Sequence, residues 1–98
     1  MSDRKTSVLL AMQLALLGEI SCRIRAITVI FELSSICFVC FCDGEIDADD
    51  QAAMWCIDTE LVAMFPENQR VTHVLTRLDA PTRIPRDSNA HFVYLRKE

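Results

Sequence analysis

Glycine is scarce in this chain, with only Gly18 and Gly44 among 98 residues. A loop that wraps phosphate groups needs several neighbouring glycines, because its backbone must approach the ligand closely. Two isolated glycines therefore exclude glycine-rich phosphate and dinucleotide loops. The longest apolar run, residues 8–17, is interrupted by Gln13. It is shorter than the roughly 20 residues that cross a bilayer, so no membrane span is expected.

Lysine and arginine are absent between residues 43 and 67, a segment that carries eight carboxylates. The rest of the chain has ten basic and six acidic residues, so the net charge of −4 conceals an uneven distribution. A surface of one sign adds little to folding, because like charges repel, but it accelerates and orients the encounter with a basic partner. The eight carboxylates are Asp43, Glu45, Asp47, Asp49, Asp50, Asp58, Glu60 and Glu67.

The excess of acid narrows the choice of partner. Nucleic acid is not expected as a direct ligand of a chain with a pI near 5.1, because phosphate binding normally requires a basic patch. A basic protein is a better counterpart. The alternative is an ordinary solvated surface, although eight acids without one base exceed what solubility requires.

The five cysteines form no recognisable disulfide or metal pattern. Side chains alternate across a strand, so Cys37 should face away from Cys40 and Cys42. His73 and His91 stand alone and do not supply the second half of a zinc site. We therefore expect buried, reduced thiols, no metal and no cofactor, which is typical of a cytoplasmic protein.

Calcium binding, catalysis and export also fit the sequence poorly. An EF-hand loop would have glycine at the position of Asp50 and glutamate at that of Cys56. No spacing of Cys, His and Asp matches a catalytic signature, so an enzyme is not predicted. Cys22 follows the N-terminal apolar run as in a lipoprotein signal, but Glu19 occupies a site that requires an aliphatic residue.

Apolar periodicity and turn residues predict the order helix, strand, strand, helix, strand, strand. The helices are expected at residues 6–17 and 48–65, the strands at 24–33, 36–42, 70–78 and 91–96, and a long loop at 79–89. Gly18 should end the first helix, Asp47 should cap the second and Pro66 should stop it. These elements predict one α+β domain over residues 1–98, a two-layer sandwich with both helices on one face of an antiparallel sheet.

Helical spacing divides the residues of the second helix between core and solvent. Asp50, Gln51 and Asp58 are expected to face solvent. Trp55 lies beside the apolar stripe and is predicted to be core; if exposed, it would be a natural interface anchor. The first helix is apolar on nearly every side, which indicates deep burial or a second partner surface. The predicted buried stripe of the second helix is Met54, Ile57, Leu61 and Phe65.

Several short strings along nearly the whole chain resemble a group of small bacterial proteins, the immunity proteins of contact-dependent growth inhibition and related polymorphic toxin systems. The strings lie at residues 15–20, 24–26, 43–46, 59–60, 64–66, 77–81 and 93–98. The resemblance implies a non-catalytic protein that binds one cognate toxin domain. Such toxins are frequently nucleases and therefore basic.

The function expected from this resemblance is toxin neutralisation through the acidic segment. The alternative is a small structural or regulatory protein without a toxin partner, in which the apolar first helix or the first hairpin joins two copies as a homodimer. The predicted partner-binding residues are Asp43, Glu45, Asp47, Asp49, Asp50, Trp55, Asp58 and Glu60.

Overall fold

The computed structural model describes residues 3–65 and 69–98. All the predicted helices and strands are present in the predicted order, and their bounds differ from the expectations by a few residues. The elements are α1 Asp3–Ala15, β1 Ile24–Phe31, β2 Ser35–Cys42, α2 Ala48–Met64, β3 Arg70–Arg77 and β4 His91–Leu95. Pro66, predicted to stop the second helix, lies outside the described residues; α2 ends at Met64, with Phe65 in extended conformation.

The four strands form one mixed sheet in the order β3-β2-β1-β4. The predicted hairpin is confirmed, because β1 and β2 are antiparallel, with Val29 opposite Phe38. The prediction of an entirely antiparallel sheet is wrong: β2 and β3 run parallel, with Phe38 opposite His73. Helix α2 connects these two strands and returns the chain to the end of the sheet where β2 began, which is how parallel neighbours are joined.

Both helices contribute to a single core. Val8 and Met12 of α1 and Ile57 of α2 belong to the same buried cluster as Val29 and Phe38 of the sheet. Since Val29 and Phe38 are paired, they lie on the same face of the sheet, and that face carries the helices. The α+β class is therefore confirmed, with a sheet that is mixed rather than antiparallel.

Helix α1 is buried on one side and exposed on the other. Val8, Met12 and Ala15 are buried, whereas Leu10 and Leu14 are half exposed. After the helix, Gly18 adopts a φ of +82°, in the left-handed region that was predicted for the end of this segment. Within the described residues, no helix is long and apolar enough to cross a membrane.

Two expectations about the edges of elements are wrong. Leu33 was placed in the first strand, but β1 ends at Phe31 and Leu33 is 87% exposed in the turn before β2. Phe65 was placed in the buried stripe of the second helix, but it is half-buried beyond the end of α2. Met54, Ile57 and Leu61, the other members of that stripe, are buried as predicted.

Candidate functional site

The N-terminus of α2 is held by a reciprocal pair of aspartates. Asp47 is the N-cap, as predicted, and its Oδ1 accepts a hydrogen bond of 2.9 Å from the backbone N–H of Asp50. The Oδ2 atom of Asp50 accepts one of 2.9 Å from the backbone N–H of Asp47. This capping box satisfies two backbone donors that the helix itself leaves without partners. The N–H of Asp50 also lowers the pKa of Asp47, since it favours the carboxylate.

Asp50 is buried, so the prediction that it faces solvent is wrong. Its carboxylate pairs with the guanidinium of Arg23, which also lies 3.3 Å from Asp47. Arg23 immediately precedes β1 and donates a further hydrogen bond of 2.5 Å to the backbone carbonyl of Glu45. A buried carboxylate requires a partner, and Arg23 provides it from 27 residues away in the sequence.

A second arginine compensates Asp43, at the C-terminal end of the β1–β2 hairpin. Arg96 lies 3.2 Å from the carboxylate of Asp43, which also accepts a hydrogen bond from the backbone N–H of Ala80. Beside this pair, Asp79 accepts hydrogen bonds from Arg77 and from the N–H of Gly44, and both lower the pKa of Asp79. At this end of the molecule, Arg96 therefore offsets the negative charge of Asp43, the first carboxylate of the acidic segment.

Asp58 is also buried, contrary to the prediction. One of its carboxylate oxygens lies 2.9 Å from Nδ1 of His73 on β3. The imidazole of His73 stacks on Phe38, at 5.4 Å between ring centroids, and lies nearly perpendicular to the indole of Trp55, at 4.7 Å between centroids. Asp58 is therefore a buried residue that orients the imidazole of His73.

Trp55 is 62% exposed, so its predicted place in the core is wrong. Helical geometry explains the result. Met54 and Leu61 point into the core, and a residue next to Met54 is rotated by about 100° around the helix axis. The indole contacts His73 in a perpendicular ring pair, while most of the side chain is exposed to solvent. This exposed position is the one in which an interface anchor was expected.

Four of the predicted partner-binding carboxylates remain exposed. They are Glu45, Asp47, Asp49 and Glu60. Asp49 and Glu60 lie eleven positions apart on α2, which places them on one side of the helix. Glu67, the last acid of the segment, lies outside the described residues. The structure thus divides the acidic segment into exposed carboxylates and carboxylates that hold the fold.

A shallow groove runs between the C-terminal end of α1 and the outer surface of α2. Leu17 and Glu19, which line it, were not among the predicted site residues. The only sequence signal for them was the apolar character of the first helix on nearly every side. The lining residues are Ala15, Leu17, Glu19, Trp55, Cys56, Thr59 and Glu60.

The five cysteines are free thiols that differ in how far they are buried. Cys40 and Cys42 are buried, Cys37 points to the other face of the sheet, as alternation predicted, and Cys22 and Cys56 are exposed. Burial raises the pKa of Cys40 to about 12. Among residues 3–65 and 69–98, no three His, Cys, Asp or Glu side chains are grouped as metal ligands would be.

Comparison with known proteins gives one informative match. No curated protein matches the sequence. A family model described as MafI2 immunity protein matches residues 5–98, which include α2, the whole sheet and nearly all of α1. The match confirms the resemblance to small immunity proteins of toxin systems. It covers far more than half of the chain, and the chain therefore belongs to the MafI2 immunity protein family.

Proposed function

We propose that this protein neutralises one cognate toxin domain by binding it, without catalysing a reaction. Membership of the immunity protein family carries the proposal. The exposed indole of Trp55 supports it, because a large aromatic side chain that contacts His73 and is otherwise exposed is typical of interface hot spots.

The proposed binding surface is acidic and its partner is basic. The exposed carboxylates of Glu45, Asp47, Asp49 and Glu60 would meet lysines and arginines of the toxin, which increases the rate of association and fixes its orientation. A nuclease has such a basic surface because it binds phosphates. Binding there would block the access of nucleic acid to the toxin, or it would immobilise a region that the activity of the toxin requires.

The remaining predicted acids take supporting roles in this proposal. Asp50 and Asp58 are buried and cannot reach a partner; they fix the start of α2 and the position of His73. Asp43 is half-buried beside Arg96 and would lie at the margin of the contact.

A toxin whose effect on growth this protein is able to suppress provides the direct test. Co-expression with that toxin should restore growth, and the two proteins should purify as a complex. The purified immunity protein should abolish cleavage of nucleic acid by the toxin when the two are equimolar. Failure to form a complex at micromolar concentration would disprove neutralisation by binding. A complex with a toxin that cleaves no nucleic acid would leave neutralisation intact and disprove only the nuclease assignment.

The charge mechanism needs its own variants. Asp49→Lys combined with Glu60→Lys should slow association by roughly tenfold at low salt and weaken its dependence on ionic strength. Glu32→Lys combined with Asp87→Lys is the matched control, because it changes the net charge equally and both carboxylates are exposed outside the acidic segment. Equal association rates for both proteins would show that the toxin binds elsewhere.

A further inference from the structure

The groove between α1 and α2 combines apolar side chains with charge of one sign. Leu17 is 71% exposed and Trp55 is 62% exposed, and both line the groove. The charged residues of its lining are Glu19 and Glu60, both acidic. Glu19 also faces Asp49 across an adjoining depression. A complementary ligand must therefore be apolar where it contacts the floor and cationic at its margin.

The apolar surface extends beyond the groove along α1. Leu10 and Leu14 lie on one side of α1, Leu17 lies in the turn that follows the helix, and each is at least half exposed. The opposite side of the helix is already buried through Val8 and Met12, so the exposed leucines are not needed for the core. A contiguous apolar surface beside charged residues is typical of a protein interaction site.

The aromatic part of the groove is held in place before binding. The ring plane of His73 is nearly perpendicular to that of Trp55, at 88°, and His73 is itself oriented by Asp58. A side chain that is already ordered loses little conformational entropy when it is covered, which favours affinity. Thus Asp58 and His73 act as positioning residues for Trp55.

We infer that this groove is where the protein receives a basic segment of its toxin. The inference rests on the proposed function and adds the location and chemistry of the contact. A lysine or arginine would lay its aliphatic stem over Leu17 and the indole of Trp55, and its cationic group would reach Glu19 or Glu60. A second copy of the chain fits less well. A two-fold contact centred on the groove would bring the acidic rims of both copies together, and like charges in a contact disfavour it.

Matched substitutions separate the groove from the rest of the surface. Leu17→Ala and Trp55→Ala should each raise the Kd for the toxin by about tenfold or more, as expected for hot-spot residues. The control is Leu33→Ala, since Leu33, in the turn between β1 and β2, is a leucine even more exposed than Leu17, and the Kd of this variant should change less than about twofold. Circular dichroism should show that all three variants remain folded.

The rate at which Cys56 is alkylated gives a second measurement, which leaves the side chains of the groove unchanged. Its thiol is exposed and lines the groove. In a Cys22→Ser background, iodoacetamide should alkylate Cys56 at least about fivefold more slowly in the toxin complex than in the free protein, because the groove is covered. An equal rate would overturn the proposed contact.

The outcomes distinguish this inference from the proposed function. Tight toxin binding by Leu17→Ala and Trp55→Ala would disprove the groove as the contact and leave neutralisation intact. Absence of binding by the unsubstituted protein would disprove neutralisation itself. A dimer seen by light scattering for the free protein, with Leu17→Asp converting it to a monomer, would assign the groove to a second copy and overturn the inference.

Discussion

The imidazole of His73 lies nearly perpendicular to the indole of Trp55, with ring centroids 4.7 Å apart. Behind this contact, Asp58 holds His73 through Nδ1 at 2.9 Å. A buried carboxylate on one side of α2 is thereby linked, through a strand residue, to an exposed aromatic ring on the same helix. The orientation of Trp55 at the surface therefore depends on the buried contact between Asp58 and His73.

Replacing Asp58 should loosen Trp55 as well as reduce stability. Asp58→Ala leaves the Nδ1 atom of His73 without its buried partner, and we expect a loss of about 1–3 kcal/mol in the free energy of unfolding. Urea titration followed by the fluorescence of Trp55, the single tryptophan, measures both effects. Glu60→Ala on the same helix is the control and should change stability by less than about 0.5 kcal/mol. Equal stability of the two variants would contradict the role of Asp58.

The two adjacent aspartates of the first turn of α2 should respond differently to loss of charge. Asp50→Asn weakens the ion pair with the half-buried Arg23 and the hydrogen bond to the N–H of Asp47, so we expect a loss of about 1–3 kcal/mol. Asp49→Asn affects an exposed carboxylate and should cost about 0.5 kcal/mol or less. Thermal unfolding of the two isosteric variants provides the comparison. A larger effect at Asp49 would disagree with the capping arrangement.

Stability should fall in acid partly through Glu98. Hydrogen bonds from Arg25, and then from Arg96, lower the pKa of Glu98 to about 2 from its ordinary value of 4.5. Because the folded protein holds this carboxylate ionised, its stabilisation is complete above about pH 5 and is lost as the pH falls from there towards 2. Glu98→Gln should have a lower Tm than the unsubstituted protein at pH 7, and the difference should shrink towards pH 2.5. A constant difference across this range would show that Glu98 does not contribute to the acid response.

The cysteines should divide into reactive and protected groups. Cys22 and Cys56 are exposed and should be alkylated within minutes at pH 8. Cys40 is fully buried, and burial raises its pKa to about 12, so its thiol stays protonated at that pH. Cys42 is also buried, and burial raises its pKa.

Peptide mass spectrometry after iodoacetamide treatment should find Cys40 and Cys42 unmodified until urea unfolds the chain. Early modification of Cys40 in the folded protein would contradict its position in the core.

The order of helices and strands could be predicted because its signals are local. Asp47 sits just before an apolar periodic segment, and Gly18 closes another, so capping and turn chemistry mark both helices. The pairing of β3 with β2 could not be predicted in the same way. Parallel and antiparallel neighbours use the same alternating side chains, and the choice depends on where α2 returns the chain.

The candidate site was predictable only as a set of residue types. A segment without lysine or arginine suggested an uncompensated acidic surface, but folding brings Arg23 to Asp50 and Arg96 to Asp43 from distant parts of the sequence. Such contacts leave no local pattern. Trp55 was recognised as a potential anchor, yet its exposure depends on how α2 rotates over the sheet. Leu17 and Glu19 were missed because a groove exists only once α1 and α2 have packed together.

The strand order also determines when during translation the sheet becomes complete. Strand β1 is paired with β2 on one side, and its other side is filled only by β4, in which Tyr94 lies opposite Ile27. A nascent chain that stalls before His91 therefore exposes an unpaired, apolar strand edge and lacks the partner of buried Arg25, Glu98. We expect such a fragment to be removed by proteases and not to protect the cell. Protection would then require that β4 and Glu98 have been synthesised and have joined the sheet.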